Sequence, residues 1–304
     1  MSFTEAVKAE LCAVANNRPC CRRAELYGML LFGHIFARTK MRLSTKNSAV
    51  AARFQQMARS ALGFEFSQAS GAGRRLVLST EKPRELAAVM DVYGYGPSVD
   101  VALHLNNAIV EEDCCRGAFL RGVFLMAGSV SVPEHDGLHT AKYHLEITGS
   151  HYYVMREFNT LLRDMDLSLR LAKRKACYLL YCKAVETVGE LLAHAGATRA
   201  YMAVLHLMME RRLRNNINRR VNCDSANIGR VVEAAAAQCA AIEALQQSGR
   251  FDLLPESLKQ TALLRLQYPE RPLSELEDVS KIGRSALNHR LRKLVALAEE
   301  EIKP

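Results

Sequence analysis

Hydrophobic positions recur along the first two-thirds of the chain in an order that occurs twice. Phe3, Val7 and Leu11 mark an amphipathic helix over residues 3–15, and Leu26, Met29, Leu30 and Phe32 mark another. From Ile35 to Ser44 the period drops to two. Ile35, Ala37, Met41 and Leu43 point one way; Phe36, Arg38, Lys40 and Arg42 point the other. This predicts a strand with one face on helices and the other presenting three cations. Asn47 or Ser48 caps a helix lined by Val50, Phe54, Met57 and Ala61 and stopped by Gly63. A hairpin with Gly71 and Gly73 leads into a strand at Leu76–Leu78, then a helix over 84–93, and Gly94-Tyr95-Gly96-Pro97 breaks the chain.

The second pass follows the same order. Leu120, Val123, Phe124 and Met126 predict a helix. Ser129–Val132 and Tyr143–Thr148 predict a strand pair around a polar turn, Pro133–Gly137. A helix over 150–165 (Val154, Phe158, Leu161, Met165), a strand at Cys177–Cys182 and a helix over 185–195 ending at Gly196 complete it. The letters repeat as well as the pattern. Cys20, Cys21, Arg22, Ala24, Leu26 and Gly28 return 94 positions later as Cys114, Cys115, Arg116, Ala118, Leu120 and Gly122. A shift of 104 aligns Leu43 with Ile147, Ser44 with Thr148 and Phe54 with Phe158. A repeat of this size points to a duplicated half-domain, each half reading helix, two strands, helix, two strands or fewer, helix. Gly28 and Gly122 remove side chains at matching points, which lets two helix backbones approach closely.

Beyond the repeat the pattern is helical. Arg211 to Cys223 holds five arginines and four asparagines in thirteen residues with no acid. Arg211, Arg214 and Arg219 suit phosphate or interdomain contacts. Asn215 and Asn218 suit either such contacts or the cap and hinge of a turn. An Ala-rich connector helix over 225–247 closes at Gly249. Pro255 opens a helix through Leu258, Ala262, Leu263 and Leu266 that stops before Pro269. Pro272 opens a short helix over 272–278, and a turn containing Gly283 leads to a third. This is the layout of a helix-turn-helix reader, although a generic three-helix bundle has similar spacing. Leu287, Leu291 and Leu294 would face the core. Arg284, Ser285, Asn288, His289 and Arg292 would face the major groove, with Lys281 and Lys293 as further DNA-binding candidates, in a stretch of five cations and no acids.

The 304 residues suffice for one large or two moderate domains, and 49% hydrophobic content suffices for real cores. A net charge of +9 favours an anionic partner, most simply nucleic acid. No apolar run is long enough to span a membrane, and no secretory signal is evident in MSFTEAVKAEL. Nine cysteines then imply a reduced, cytoplasmic protein with free thiols. Cys20-Cys21 with Cys114-Cys115 could make a four-thiolate metal site. Adjacent pairs lack the usual Cys-x₂₋₄-Cys spacing, so the reading assigns no metal and no cofactor.

Leu26-Tyr27-Gly28-Met29-Leu30-Leu31-Phe32-Gly33-His34 and Leu120-Arg121-Gly122-Val123-Phe124-Leu125-Met126-Ala127-Gly128 resemble the L-A-G-L-I-D-A-D-G motif of homing endonucleases. In that family the eighth residue is a metal-binding carboxylate. Here Gly33 and Ala127 stand there, and neither copy holds an acid. Hard divalent ions need oxygen ligands, and two-metal phosphodiester cleavage depends on them. With the Asn-x-x-Asn-Arg-x-x-Asn-Cys run at 215–223 and the basic tail, the chain resembles the WhiA family of bacterial transcription regulators over nearly its whole length.

The resemblance implies an α+β fold: a pseudo-symmetric homing-endonuclease-like domain of two αββαββα-like halves, then an all-α helix-turn-helix domain. The expected boundaries are 1–110 and 111–210 for the halves, 211–250 for linker and connector, and 251–304 for the reader. The two sheets are expected to join into one curved DNA saddle. Its candidate lining is Arg38, Lys40, Arg42, Arg74, Arg75, Lys142, Lys173, Arg174 and Lys175, any of which could instead lie on a solvated sheet face. The implied function is sequence-specific transcription regulation in sporulation or cell division, on the nucleoid and without nuclease activity. Double-stranded DNA is the implied partner, with an RNA polymerase sigma factor or another regulator as a further one. The rival readings are a non-specific nucleoid- or RNA-binding architectural protein and an active endonuclease.

Overall fold

The structure, a computed structural model, describes residues 2–96, 103–133 and 143–302. Two compact units divide at Glu210/Arg211.

In the first unit α1 (Phe3–Ala13) starts on a capping box. The Ser2 hydroxyl accepts from the Glu5 amide at 3.3 Å, and the Glu5 carboxylate accepts from the Ser2 amide at 2.9 Å. α2 (Pro19–Leu31) carries the first motif and has Pro at its first turn, where a missing N–H costs nothing. β1 (Ile35–Phe36) and β2 (Met41–Thr45) follow, then α3 (Ser48–Leu62). The Asn47 side chain caps α3, accepting from the Ala49 and Val50 amides, and Gly63 ends it in the left-handed conformation at φ 79°. β3 (Ser67–Gly71), β4 (Arg75–Thr80) and α4 (Pro83–Val92) complete the first half. The second half runs α5 (Asp113–Ala127), β5 (Gly128–Ser131), β6 (His144–Gly149), α6 (Tyr152–Asp164), β7 (Arg170–Arg174), β8 (Cys177–Cys182) and α7 (Val185–Ala195). Both sheets are four-stranded and antiparallel, in the matching orders β1-β2-β4-β3 and β5-β6-β8-β7.

The helices α2 and α5 form the seam between the halves, and the repeat becomes a rotation in space. A Cβ on Gly28 would collide with the Phe119 carbonyl and reach 2.9 Å from the Val123 amide nitrogen. A Cβ on Gly122 would collide with the Glu25 carbonyl and reach 3.0 Å from the Met29 amide nitrogen. Residues 119 and 123 are the counterparts of 25 and 29, so each glycine admits the same stretch of the opposite helix. Phe54 and Phe158 are both fully buried, as the 104-residue shift requires.

Beside the crossing sits a buried charge cluster. Glu25 is wholly buried and accepts from Arg53 Nε at 2.7 Å, Arg53 Nη2 at 3.0 Å, Arg121 Nε at 3.0 Å and Asn16 Nδ2 at 2.7 Å. Arg121 also donates to the Ala195 carbonyl at 2.9 Å, which ties α7 to the seam.

Three expectations about local structure change. The strand over 35–44 is two strands joined by a tight turn, with Ala37 and Lys40 exchanging backbone hydrogen bonds of 3.0 and 3.3 Å. The turn inverts parity, so Phe36 pairs with Met41 on the core face and Ile35 lies beside Arg42. The two sheets share no hydrogen-bonded strand pair among the described residues, so they are not one continuous sheet. The connector helix does not begin near 225: α8 runs from Thr198 to Gln247, through the Arg/Asn stretch. The turn beyond Pro133 lies outside the described residues.

The second unit has its own core. Ile242 and Leu245, near the end of α8, cluster with Leu258 and Ala262 of α9 (Glu256–Gln267). The short α10 (Leu273–Ser280) packs Leu273 against this cluster and also buries Leu276, and α11 (Arg284–Ile302) adds Leu291, Leu294 and Ala298 to it. Among the described residues no helix is long and apolar enough to cross a membrane.

Candidate nucleic-acid interface

In the second unit α10 and α11 are joined by Lys281, Ile282 and Gly283. Gly283 is not the residue that makes the turn. Lys281 takes the left-handed conformation at φ 58° and donates its N–H to the Glu277 carbonyl at 2.9 Å. Ser280 locks the corner: its hydroxyl donates to the Leu276 carbonyl at 2.7 Å and accepts from the Ile282 amide at 3.2 Å. The preceding corner is held by Arg265, a buried guanidinium whose pKa burial lowers. It donates to the Tyr268 carbonyl at 3.3 Å and the Arg271 carbonyl at 2.7 Å.

The period of α11 then divides its residues. Leu287, Leu291, Leu294 and Ala298 are buried. Arg284, Ser285, His289, Arg292 and Lys293 are exposed, and Asn288 is half-buried among them. Arg284, Asn288 and Arg292 recur every fourth residue, one row along the solvent side. Arg290, in the same basic run, turns instead toward α9, with contacts of 3.4 Å to the Ser257 carbonyl and the Thr261 hydroxyl.

In the first unit the expected saddle cations separate. Arg38 sits on the exposed β1–β2 turn and donates to the Gly96 carbonyl; Lys40, at the turn's base, pairs with Glu81. Arg42 stays on the open sheet face opposite Met41 and Leu43, with Arg75 on β4 beyond it. In the second sheet Arg174 is level with Cys177 on the open face and bonds Glu146 through two contacts of 3.3 Å. Lys173 lies level with Tyr178 on the opposite face, its ammonium 5.9 Å from that ring's centroid. Lys175 forms the tip of the β7–β8 hairpin at φ 56°. Lys142 and the Arg74 side chain lie outside the described residues.

Two members of the open face escape the sequence reading. Arg170 lies level with Tyr181 on the face of Arg174 and is exposed, and Glu146 places a carboxylate among the cations. Strand alternation through Arg170, Ala172 and Arg174 was the available signal. It is weak because Leu171 is the only large apolar residue of β7.

The Arg/Asn stretch is a helix surface. Arg211, Arg214, Asn215, Asn218 and Arg219 are all exposed along the middle of α8. Asn215 and Asn218 are interior to the helix and cap nothing, which removes the turn reading.

Gly33 follows α2 and Ala127 is the last residue of α5, so the nuclease positions fall at the carboxy-terminal ends of the paired helices. Neither has a side-chain carboxylate to offer, so the charged oxygen ligands that hold a hard divalent ion for phosphodiester cleavage are missing at these two positions.

A family model described as the WhiA LAGLIDADG-like domain matches residues 116–214, and one described as the WhiA C-terminal HTH domain matches 217–298. The chain is 33% identical to the probable cell division protein WhiA of Ruminiclostridium cellulolyticum over 312 residues, covering 98% of this chain and 97% of that protein. It is 34% identical over 314 residues to the protein of the same name from Desulforudis audaxviator, covering 98% and 97%. The crystal structure of full-length WhiA from Thermotoga maritima is similar at 22% identity and a TM-score of 0.59, covering 99% of each chain, and so shares the fold.

Proposed function

The chain belongs to the WhiA family, and from that premise we propose that it is a DNA-binding transcription regulator that reads sequence through α11 and has no nuclease activity. The observation that carries this reading is the division of α11 into a buried leucine row and a solvent-side row in which exposed Arg284 and Arg292 flank half-buried Asn288. Guanidinium forks suit guanine edges and carboxamides suit adenine, and a helix after a tight turn delivers such groups to the major groove. Residues 251–304 are proposed as the reader, and 1–110 with 111–210 as the paired halves of the homing-endonuclease-like domain. Phosphate contacts are assigned to Lys281, His289 and Lys293 in the reader, to Arg211, Arg214, Asn215, Asn218 and Arg219 on α8, and to Arg42, Arg170 and Arg174 on the open sheet faces. A role in cell division is proposed from the name that the relatives carry, and a role in sporulation, with an RNA polymerase sigma factor or another regulator as protein partner, from the family resemblance alone.

Base contacts specify and phosphate contacts position. Asn288→Ala or Arg292→Ala should cost about 1–3 kcal/mol on a selected site, relax preference at one position and leave non-specific affinity nearly unchanged. Arg174→Ala should weaken all sequences alike and flatten the log-affinity against log-salt slope by about one. The experiment is a salt titration of each variant on selected and scrambled duplexes. Equal losses on both duplexes for the α11 variants would favour non-specific packaging of DNA instead.

Incubation of a bound site with Mg²⁺ or Mn²⁺ should leave both strands intact, because Gly33 and Ala127 stand where the metal carboxylates would be. Metal-dependent nicking at that site would refute the non-enzymatic reading.

A further inference from the structure

The cysteines that open the two motif helices meet at the seam. Cys20 and Cys21 lie in the first turn of α2, Cys114 and Cys115 in the first turn of α5. The four Sγ atoms all lie within 4.8 Å of one another, with 3.9 Å inside the first pair and 4.0 Å inside the second. Among the described residues this is the one place where three or more His, Cys, Asp or Glu ligand atoms converge.

We infer that Cys20, Cys21, Cys114 and Cys115 form a tetrahedral four-thiolate site for Zn²⁺, fastening the two duplicated halves at the amino-terminal end of their seam. A tetrahedron with Zn–S bonds of about 2.3 Å has edges of about 3.8 Å. The within-pair distances already match, and the longest sulfur–sulfur distance must contract by no more than about 1 Å. Two ligands come from each copy of the repeat, so the symmetry of the seam supplies the ligand symmetry. Adjacent cysteines are a poor metal motif within one segment; two such pairs brought together across a two-fold make a closed quartet.

The surroundings suit the charge. Four thiolates around Zn²⁺ carry a net charge of −2, and the amino-terminal ends of α2 and α5 both lie at the quartet, where helix dipoles favour anions. Arg18, the residue that precedes α2 and stands two places before Cys20, adds a cation whose electrostatics couple to Cys114, Cys21 and Cys20. Cys21 and Cys115 are buried while Cys20 and Cys114 are half-exposed, which leaves an entry path. Binding releases the thiol protons to solvent and changes no oxidation state. A four-iron cubane spreads its thiolates around the corners of a cluster and needs a wider quartet than this one.

The test uses the full chain, reduced and stripped of metal. Titration with Co²⁺ should give intense visible bands and a near-ultraviolet sulfur-to-cobalt charge-transfer band, saturating at one equivalent and bleached by one equivalent of Zn²⁺. Zn²⁺ should also raise the thermal midpoint, because it binds the folded state. The double variant Cys20→Ser/Cys114→Ser, chosen at the half-exposed positions and checked for folding by circular dichroism, should lose all of these responses. Cys177→Ser/Cys223→Ser, at exposed sites elsewhere, should keep them. The proposal is overturned if the reduced wild-type chain takes up no Co²⁺, if it gives only the weak spectrum of an octahedral oxygen site, or if uptake survives the Cys20/Cys114 double change. A disulfide within the quartet that persists under reducing conditions would overturn it as well.

Discussion

Glu25→Ala is expected to destabilise the first unit by about 3–5 kcal/mol, the usual cost of removing one partner from a buried ion pair. The wild-type carboxylate answers two guanidiniums and a carboxamide at once. Its loss leaves Arg53 with one backbone contact, to the Cys12 carbonyl at 3.4 Å, and Arg121 with the Ala195 carbonyl. Two cations would then be held in the core without a counter-charge, where desolvation is paid in full. Glu25→Gln keeps an acceptor but not the charge and should fall between. Urea denaturation checks this, and a Glu25→Ala protein within about 1 kcal/mol of the parent would show that water reaches the cluster. The cluster is not expected to be optimal for stability, since well-packed apolar replacements of such groups are often neutral or stabilising. It commits α2, α3, α5 and α7 to one arrangement.

The second large effect comes from the smallest change. Gly122→Ala adds one methyl group where the Glu25 carbonyl already stands, and Gly28→Ala does the same against the Phe119 carbonyl. Backbone of a packed helix cannot turn aside as a side chain can, so the helices must separate along the seam. Overpacking of this kind typically costs about 1–3 kcal/mol, and Gly122 should lie at the upper end because its intruding atom is the closer of the two. Thermal melting of both variants checks the ranking. Gly229, on the exposed middle of α8 with nothing within 4 Å of an added Cβ, supplies the control: Gly229→Ala should not destabilise, given the better helix propensity of Ala. Unchanged melting of Gly122→Ala would mean that the backbones do not touch there.

Gly28 and Gly122 were singled out by the repeat, whereas Glu25 has Phe119 as its counterpart in the other copy and was not, so the seam was legible in its backbone approach but not in its buried charge. Long amphipathic helices announce themselves by period, and Gly63 and Gly196 mark their ends by taking left-handed φ. The short elements were harder. Nothing in Ala37-Arg38-Thr39-Lys40 contains Gly, Pro or Asn, so a turn passed for the middle of a strand, and Arg38 and Lys40 were assigned to a sheet face they do not occupy. β3, Ser-Gln-Ala-Ser-Gly, has no large apolar residue; it is an edge strand held by its ladder to β4 alone. The middle of α8 has solvent on every side from 211 to 230, so no hydrophobic stripe had to form there, and Asn215 and Asn218 left the cap or hinge of a turn open as an alternative. On α11 the leucine row made the opposite face readable. The cysteine quartet was visible as four letters, but its ligands come from segments 94 residues apart, and no spacing rule within one segment can describe them.

The seam also decides which helix will accept which. Position 25 meets position 121 through a carboxylate and a guanidinium; position 119, the counterpart of 25, meets position 27, the counterpart of 121, through two aromatic rings 5.5 Å apart. One pair of equivalent places has thus diverged into a charged contact and an apolar one. Two first-copy helices laid together would set Glu25 against Tyr27 twice, burying two carboxylates with no cation from the partner helix. Two second-copy helices would set Arg121 against Phe119 twice, burying two guanidiniums with no carboxylate across the seam. At this contact each half is therefore better matched to the other than to itself, since a like pairing would leave Glu25 with Arg53 of its own half as its cation. Chains that meet through this seam are therefore biased toward exchanging unlike halves, and within one chain the matching half is at the higher effective concentration.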